Sequence, residues 1–280
     1  MIKVKLFDRA LIKEYFAVLS FISIIFSFIS IFINIPDNYK LGTSVCLILS
    51  FIIIYIVLWV KANSLNKVRL KINNSVVNVK IGDIFNESDF KVIAFNEYFD
   101  TLVDNKVISE KTLNGIYINK LVDNLEMLDK SIDIDEHCNE KIVEINNSRK
   151  SGKKKKYRLG TIFQYNDYLL TAFSKFDKDN RAYLYMSDYI NFLINFWNEV
   201  DIIYAGRSIS IPLLGSGITR FKEYNMISEQ ELLELLIWSF KVSKIKFTYP
   251  SQVVIVIHES IKDKINFFKL KNIDNGLWKV

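Results

Sequence analysis

Two uncharged apolar runs near the start of the chain constrain its fold more than any other feature. Tyr15–Ile35 reads YFAVLSFISIIFSFISIFINI and Leu41–Val60 reads LGTSVCLILSFIIIYIVLWV, with no Asp, Glu, Lys or Arg in either. A hydrocarbon core ~30 Å thick takes about 20 apolar residues in a helix, and each run supplies that. Between them lies only PDNYK, Pro36–Lys40, a turn-length link with a helix-stopping proline. The pair therefore reads as a transmembrane hairpin. A signal peptide fits poorly: the first run is too long, no small-residue cleavage pattern follows it, and a second span comes at once. A buried core hairpin also fits poorly, because soluble core helices rarely stay apolar on every face for this length.

Flanking cations orient the hairpin. Lys3, Lys5, Arg9 and Lys13 precede the first run, Lys61, Lys67, Arg69 and Lys71 follow the second, and the link carries only Lys40. Both termini, and the polar remainder of the chain, are expected on the cytoplasmic side. The expected domains are a two-span hairpin over 1–62 and a cytoplasmic domain over 63–280. Ser20, Ser23, Ser27 and Ser30 recur near one helix face, which permits close helix–helix contact. Serines merely tolerated there would look the same.

The remainder alternates strand and helix patterns. Val68–Phe85 reads as two strands about an Asn-Asn-Ser turn, and Phe90–Phe95 as a buried strand. Thr112–Leu128 passes from a Gly-containing turn into a helical pattern. Leu159–Phe176 suggests a hairpin about Asn166-Asp167. Ser187–Val200 reads as an amphipathic helix capped by Ser187. In Ser228–Lys241, Ser228 and Glu231 carry a capping-box signature. Ser251–Ser260 holds a last buried strand and Ile261–Leu270 a last helix. This order predicts an α/β fold: a mixed sheet with helices on both faces, in three layers, behind the hairpin.

Composition adds exclusions. Cys46 and Cys138 cannot form a disulfide framework or a four-ligand zinc site by themselves. The net charge of +6 is modest. Arg149–Arg158, RKSGKKKKYR, reads as a solvated basic loop, with contact to anionic lipid as the second reading. No groove-reading motif accompanies it, so no nucleic-acid partner is expected. His137 lies in an acidic stretch expected to be exposed. His258, at the end of a buried strand, is expected to be structural.

The segment with the clearest chemistry is SISIPLLGSGITRF, Ser208–Phe221. A glycine loop at the carboxyl end of a buried α/β strand lies where ligands bind. Its glycines let backbone N–H groups approach phosphate oxygens without a Cβ in the way. Gly215 to Thr219 would supply several donors, with the hydroxyls of Ser216 and Thr219, and Arg220 could add charge. The chain has neither GxxxxGK[ST] nor GxGxxG. A bare GxG is equally compatible with a plain turn.

VNVKIGDIF, VIAFN, LGTIF and SIPLLGSGITRF resemble the macrodomain family in content and order, from about Val68 onward. With the hairpin in front, the whole chain resembles the transmembrane–macrodomain (ThsA type) effectors of Thoeris anti-phage systems. That resemblance implies a receptor for an ADP-ribose-derived signal nucleotide made by a TIR-domain partner. It further implies self-association and disruption of the membrane, as in abortive infection, with no metal or cofactor. By position, Asp83 would accept from the adenine amino group, Ile84 would lie against the base, and Asn96 would sit near the distal ribose. Gly115 and Ile116 would form one wall of the phosphate cleft. Gly215, Ser216, Gly217, Ile218 and Thr219 would form the other, with Arg220 beside it and Phe221 against a ribose or base. The chain departs from hydrolytic macrodomains, which commonly carry Asn-Ala-Ala-Asn where this sequence reads NEYFD, Asn96–Asp100. Phe99 replaces the second Asn. Binding without catalysis is therefore expected, and the alternative is an anchored hydrolase of ADP-ribosylated substrates, with Glu97 or Asp100 as base.

Overall fold

The computed structural model describes residues 2–33, 35–223, 227–243 and 245–272. Position 34 of the first apolar run and positions 273–280 of the expected second domain lie outside the described residues. The chain divides into two compact units, Met1–Val68 with Ile265–Val280, and Arg69–Lys264.

In the first unit, α1 (Arg9–Phe32) and α2 (Asp37–Asn63) are long and apolar enough to cross a membrane. With 24 and 27 residues they are about 36 and 40 Å long at 1.5 Å per residue. Asp8 caps α1 through Oδ1, which accepts from the N–H groups of Ala10 and Leu11. The helices meet where Tyr15 packs edge-on against Tyr55 at 5.0 Å. Ser20, Ser27 and Ser30 donate to carbonyls of their own helix and are exposed, so the serine face is not the α1–α2 contact.

Strand β1 (Lys67–Ile72), all but its first two residues in the second unit, and β2 (Ser75–Ile81) flank a tight turn, with Asn73 and Asn74 at φ 51° and 64°. Asn tolerates this left-handed region. There follow β3 (Phe90–Asn96), α3 (Leu113–Leu121), α4 (Leu125–Ile134), α5 (Glu136–Asn139), β4 (Ile142–Ile145) and β5 (Lys155–Tyr157). Next come β6 (Ile162–Tyr165), β7 (Tyr168–Phe176), β8 (Ala182–Leu184), α6 (Met186–Ile203), β9 (Ile209–Pro212), β10 (Arg220–Phe221), α7 (Glu229–Ser243) and β11 (Val253–Ile257). The main sheet runs β1-β2-β11-β9-β3-β7-β8-β10, with β6 antiparallel to β7, and β4-β5 form a separate ribbon.

Successive side chains of a strand point to opposite faces. On β7, Leu170 and Ala172 join Ile93, Phe95, Tyr117, Ile118, Leu128 and Ile132 under α3 and α4. On the other face, Phe173 packs edge-on against Phe192 of α6 at 4.9 Å. Buried residues of α6 (Tyr189, Phe192, Leu193, Phe196, Trp197, Val200) recur every three or four positions and meet α7, where Trp197 Nε1 donates to Ser239 Oγ at 2.9 Å. The result is the expected three-layer α/β/α domain with a mixed sheet.

Three local expectations change. The helix expected through Leu128 breaks at Asn124, whose side chain accepts from Met127 N–H and starts a new helix. The cap of α6 is not Ser187: the helix begins one residue earlier, and Asp188 Oδ2 accepts from Tyr185 N–H. The last helical stretch is a 3-10 turn, Glu259–Lys264, followed by α8 (Phe267–Asn272) in the first unit.

Candidate functional site

Strands β2, β11, β9 and β3 run parallel, so their carboxyl ends share one edge of the sheet. Asn96 ends β3, and Asp83, His258 and the Gly215–Gly217 loop follow the ends of β2, β11 and β9. This is the edge at which open α/β sheets take ligands.

The loop after β9 is pinned from beneath. Leu213 and Leu214 are buried, and Tyr189 Oη donates to Leu214 O at 3.2 Å. Burial pushes the Tyr189 phenol pKa up, so it remains a donor. Phe221 is buried and packs edge-on against Tyr189 at 5.4 Å. Ser216 is committed to the turn, its Oγ donating to Leu213 O at 2.7 Å. Gly215 sits at φ +91°, and a Cβ there would lie 3.1 Å from the Phe221 ring. Glycine is thus required by both backbone and neighbour.

The upper part of the loop is unlike the lower. Among the described residues, no acceptor is bonded to the N–H of Gly215, Gly217, Ile218 or Thr219. A Cβ on Gly217 would meet nothing within 4 Å. These groups border a cavity of about 300 Å³ lined by Gly215, Ser216, Gly217, Thr219, Arg220 and Phe221, completed by Ile227, Glu229 and Leu232 at the start of α7. Ile218 is exposed beside it. Uncommitted amides, a guanidinium and a space for several heavy atoms form a site suited to an anionic group.

The other expected residues stand apart from this cavity. Asp83 is exposed. Its Oδ1 caps the 3-10 turn Ile84–Asn86 by accepting from Phe85 N–H at 3.0 Å, and Oδ2 has no partner among the described residues. Ile84 is buried against Val254 and Val256 of β11, with Leu113 of α3 alongside. Gly115 is buried in the first turn of α3, where a Cβ would lie 2.2 Å from Ser109 O. Its N–H donates to Thr112 Oγ1 and that of Ile116 to Thr112 O, so both amides cap the helix.

The end of β3 is saturated. Asn96 is buried, its Oδ1 accepting from the N–H groups of Tyr98 and Asp100 and its Nδ2 donating to Asp100 Oδ2 at 2.9 Å. Asp100 is buried and receives Arg149 twice, at 2.9 and 2.6 Å, and Lys153 N–H at 2.7 Å. The Arg149 guanidinium stacks on Tyr98 at 4.0 Å. Phe99, at φ 49°, is wholly buried in the core under α3. Glu97 is buried, accepts from Phe176 N–H and lies 3.6 Å from Lys156; burial raises its pKa despite that ammonium.

The basic run Arg149–Arg158 is therefore not a solvated loop. Besides Arg149, Lys153 pairs with Asp129 at 2.6 Å, Lys155 with Asp133, Lys156 with Glu97 and Glu144, and Arg158 with Glu199. His137 also departs from expectation, pairing with the buried carboxylate of Glu199. His258 is exposed, and its Nδ1 accepts from Ser260 N–H at the start of the Glu259–Lys264 turn. Among the described residues, no group of His, Cys, Asp and Glu is arranged to hold a metal ion. Sequence reading missed Glu229 and Leu232. The Ser228–Glu231 box marked the start of α7 but not which loop it faces.

Comparison with known proteins bears on the whole arrangement. Residues 77–258 match the family model of the Thoeris protein ThsA macro domain. The Thoeris protein ThsA of Bacillus amyloliquefaciens (strain Y2) is 40% identical over 255 residues, covering 90% of this chain and 85% of that protein. Among solved structures, an Oceanobacillus iheyensis macrodomain variant aligns at a TM-score of 0.48 with 13% identity, over 75% of this chain and 99% of its own. The same macrodomain solved with ADP aligns at 0.46 with 12% identity, over 73% and 94%. The matched segment runs from within β2 through the end of β11 and so contains the strands that feed the site, and the likeness to the Bacillus relative extends over most of the chain: the chain belongs to the Thoeris ThsA macrodomain family.

Proposed function

We propose that this chain is a membrane-anchored sensor of an ADP-ribose-derived signal nucleotide. The observation that carries the reading is the set of uncommitted amides of Gly215, Gly217, Ile218 and Thr219, in the loop that borders the cavity beside Arg220. A pyrophosphate seated there would accept from those amides, and the arginine would balance its charge. Asp83, with Oδ2 still unpartnered among the described residues, would receive the adenine amino group.

Helices α1 and α2 would anchor the receptor in the bacterial inner membrane, with the domain on the cytoplasmic side. The signal would come from a TIR-domain enzyme. Occupancy would favour one arrangement of the protein over another, which requires unequal affinity for the two. A two-helix anchor encloses no pore alone, so membrane disruption would require self-association. Binding without turnover is favoured by the end of β3. Asn96 and Asp100 are bonded to protein partners there, and Phe99 is in the core.

The test is calorimetric titration of the full chain in nanodiscs with ADP-ribose and with ADP-ribose esters. Saturable binding without ester cleavage is the expected result. Absence of binding by every conjugate would refute the sensor, and turnover at ordinary enzymatic rates would replace it with the anchored hydrolase.

A further inference from the structure

The charge of the chain is divided unevenly between its two units. By sequence, the first unit holds ten Lys and Arg against four Asp and Glu, and the second holds 27 of each kind. The whole net charge of +6 therefore belongs to the unit that contains the apolar helices.

Within that unit the cations gather at one end. Tyr55, Trp59 and Asn63, four residues apart on α2, hold the segment that precedes α1. Tyr55 Oη donates to Leu6 O, Trp59 Nε1 donates to Val4 O at 2.9 Å, and Asn63 Oδ1 accepts from the N–H groups of Lys3 and Val4 at 2.8 and 2.9 Å. Helix α8 joins this base: Asn266 Nδ2 donates to Lys3 O at 2.9 Å, and Phe268 is buried with Val4, Leu11 and Ala62. Tyr and Trp favour the headgroup level of a bilayer, and Tyr15, Tyr55 and Trp59 mark that level here.

Lys5, Arg9, Lys13, Lys61 and Lys67 belong to the same end. All five are exposed, and none makes an ion pair among the described residues. Cations of the run Arg149–Arg158, by contrast, face carboxylates. Helix physics alone disfavours the placement. Arg9 opens α1, where the backbone dipole repels a cation, and Arg9 and Lys13 are like charges four residues apart. Leu6 and Phe7 beside them are exposed, Phe7 to 79%. Cations without an internal counter-charge, next to exposed apolar side chains, match a layer of anionic headgroups over acyl chains.

We propose that the base of the hairpin is a binding surface for anionic phospholipids, with Lys5, Arg9, Lys13, Lys61 and Lys67 on their phosphates and Phe7 at the acyl boundary. The proposal rests on reading α1 and α2 as a membrane anchor. It gives this end of the hairpin the lipid contact for which the cations of Arg149–Arg158, already paired, are not free.

The experiment is titration of the full chain in dodecyl maltoside micelles with phosphatidylglycerol and with phosphatidylcholine of the same acyl chains, bound lipid being counted by native mass spectrometry. One basic residue at an anionic surface is worth a factor of about five. Wild type should therefore prefer phosphatidylglycerol by at least about tenfold, and the preference should shrink as salt rises. Lys5→Gln/Arg9→Gln/Lys13→Gln should reduce it to within about threefold. Lys111→Gln/Lys120→Gln/Lys178→Gln removes the same charge from exposed positions of the second unit and should leave it unchanged. Equal retention of the two lipids by wild type overturns the proposal. An equal loss of preference in both triple variants also overturns it, because net charge alone would then explain the effect. Alkaline carbonate extraction from vesicles tests the anchor separately. If the chain is released, the anchor reading fails, and the micelle titration still decides the headgroup preference by itself.

Discussion

The carboxyl ends of β9 and β3 lie on the same edge of one sheet and treat their polar groups in opposite ways. After β3, the polar side chains of Asn96, Glu97 and Asp100 are closed into a buried network with Arg149, Lys153 and Lys156. After β9, the anchoring groups are buried while the amides from Gly217 to Thr219 have no partner among the described residues. Leaving a donor unpaired costs free energy unless water or a ligand takes it, so the open loop is where a ligand gains most. The closed loop is scaffold.

Substitutions in the two loops should therefore separate. Arg149→Ala should have the largest effect. It strands the Asp100 carboxylate in the core and should lower unfolding free energy by about 3–5 kcal/mol, seen as a shift of the denaturant midpoint. A stability near wild type would show that the network is not structural. Gly215→Val should cost both stability, about 1–2 kcal/mol for forcing a side chain into the left-handed region, and nucleotide binding. Gly217→Val is the sharper probe, because its new side chain meets only open space. Its unfolding curve should match wild type within about 0.5 kcal/mol. ADP-ribose affinity should fall at least about tenfold, roughly the loss of one hydrogen bond to a charged group. Full affinity in Gly217→Val would remove the distinction between the loops.

The smallest effect concerns pH. Burial holds the Glu97 carboxyl above its ordinary 4.5. The folded protein therefore keeps this proton to higher pH than the unfolded chain. Its contribution to stability is fully present below about pH 4.5 and is lost as pH rises through the raised value. Glu97→Gln should flatten that part of the stability–pH profile, measured by denaturant titration at several pH values.

Features encoded by neighbours in the chain were legible in the sequence. The apolar helices follow from uninterrupted composition, and the Asn73–Asn74 turn from two residues that tolerate positive φ. The cap of α7 follows from Ser228 and Glu231, whose Oε2 accepts from Ser228 N–H at 2.8 Å. The β9 loop was readable because two glycines end an apolar strand. Features set by distant partners were not. A run of cations looks solvated until Asp100, Asp129, Asp133, Glu144 and Glu199 are seen to face it. The amides of Gly115 and Ile116 look available until Thr112 is seen to cap them. Ser187 loses the cap to Tyr185 because Asp188 reaches back three residues to the Tyr185 N–H.

The position of β11 has a consequence for biosynthesis. This strand lies between β2 and β9, yet is made after both. A growing chain makes its apolar helices first and can complete this sheet only once Val253–Ile257 has been synthesised. A chain that stops before Val253 therefore carries both apolar helices and a sheet that lacks the strand joining β2 to β9.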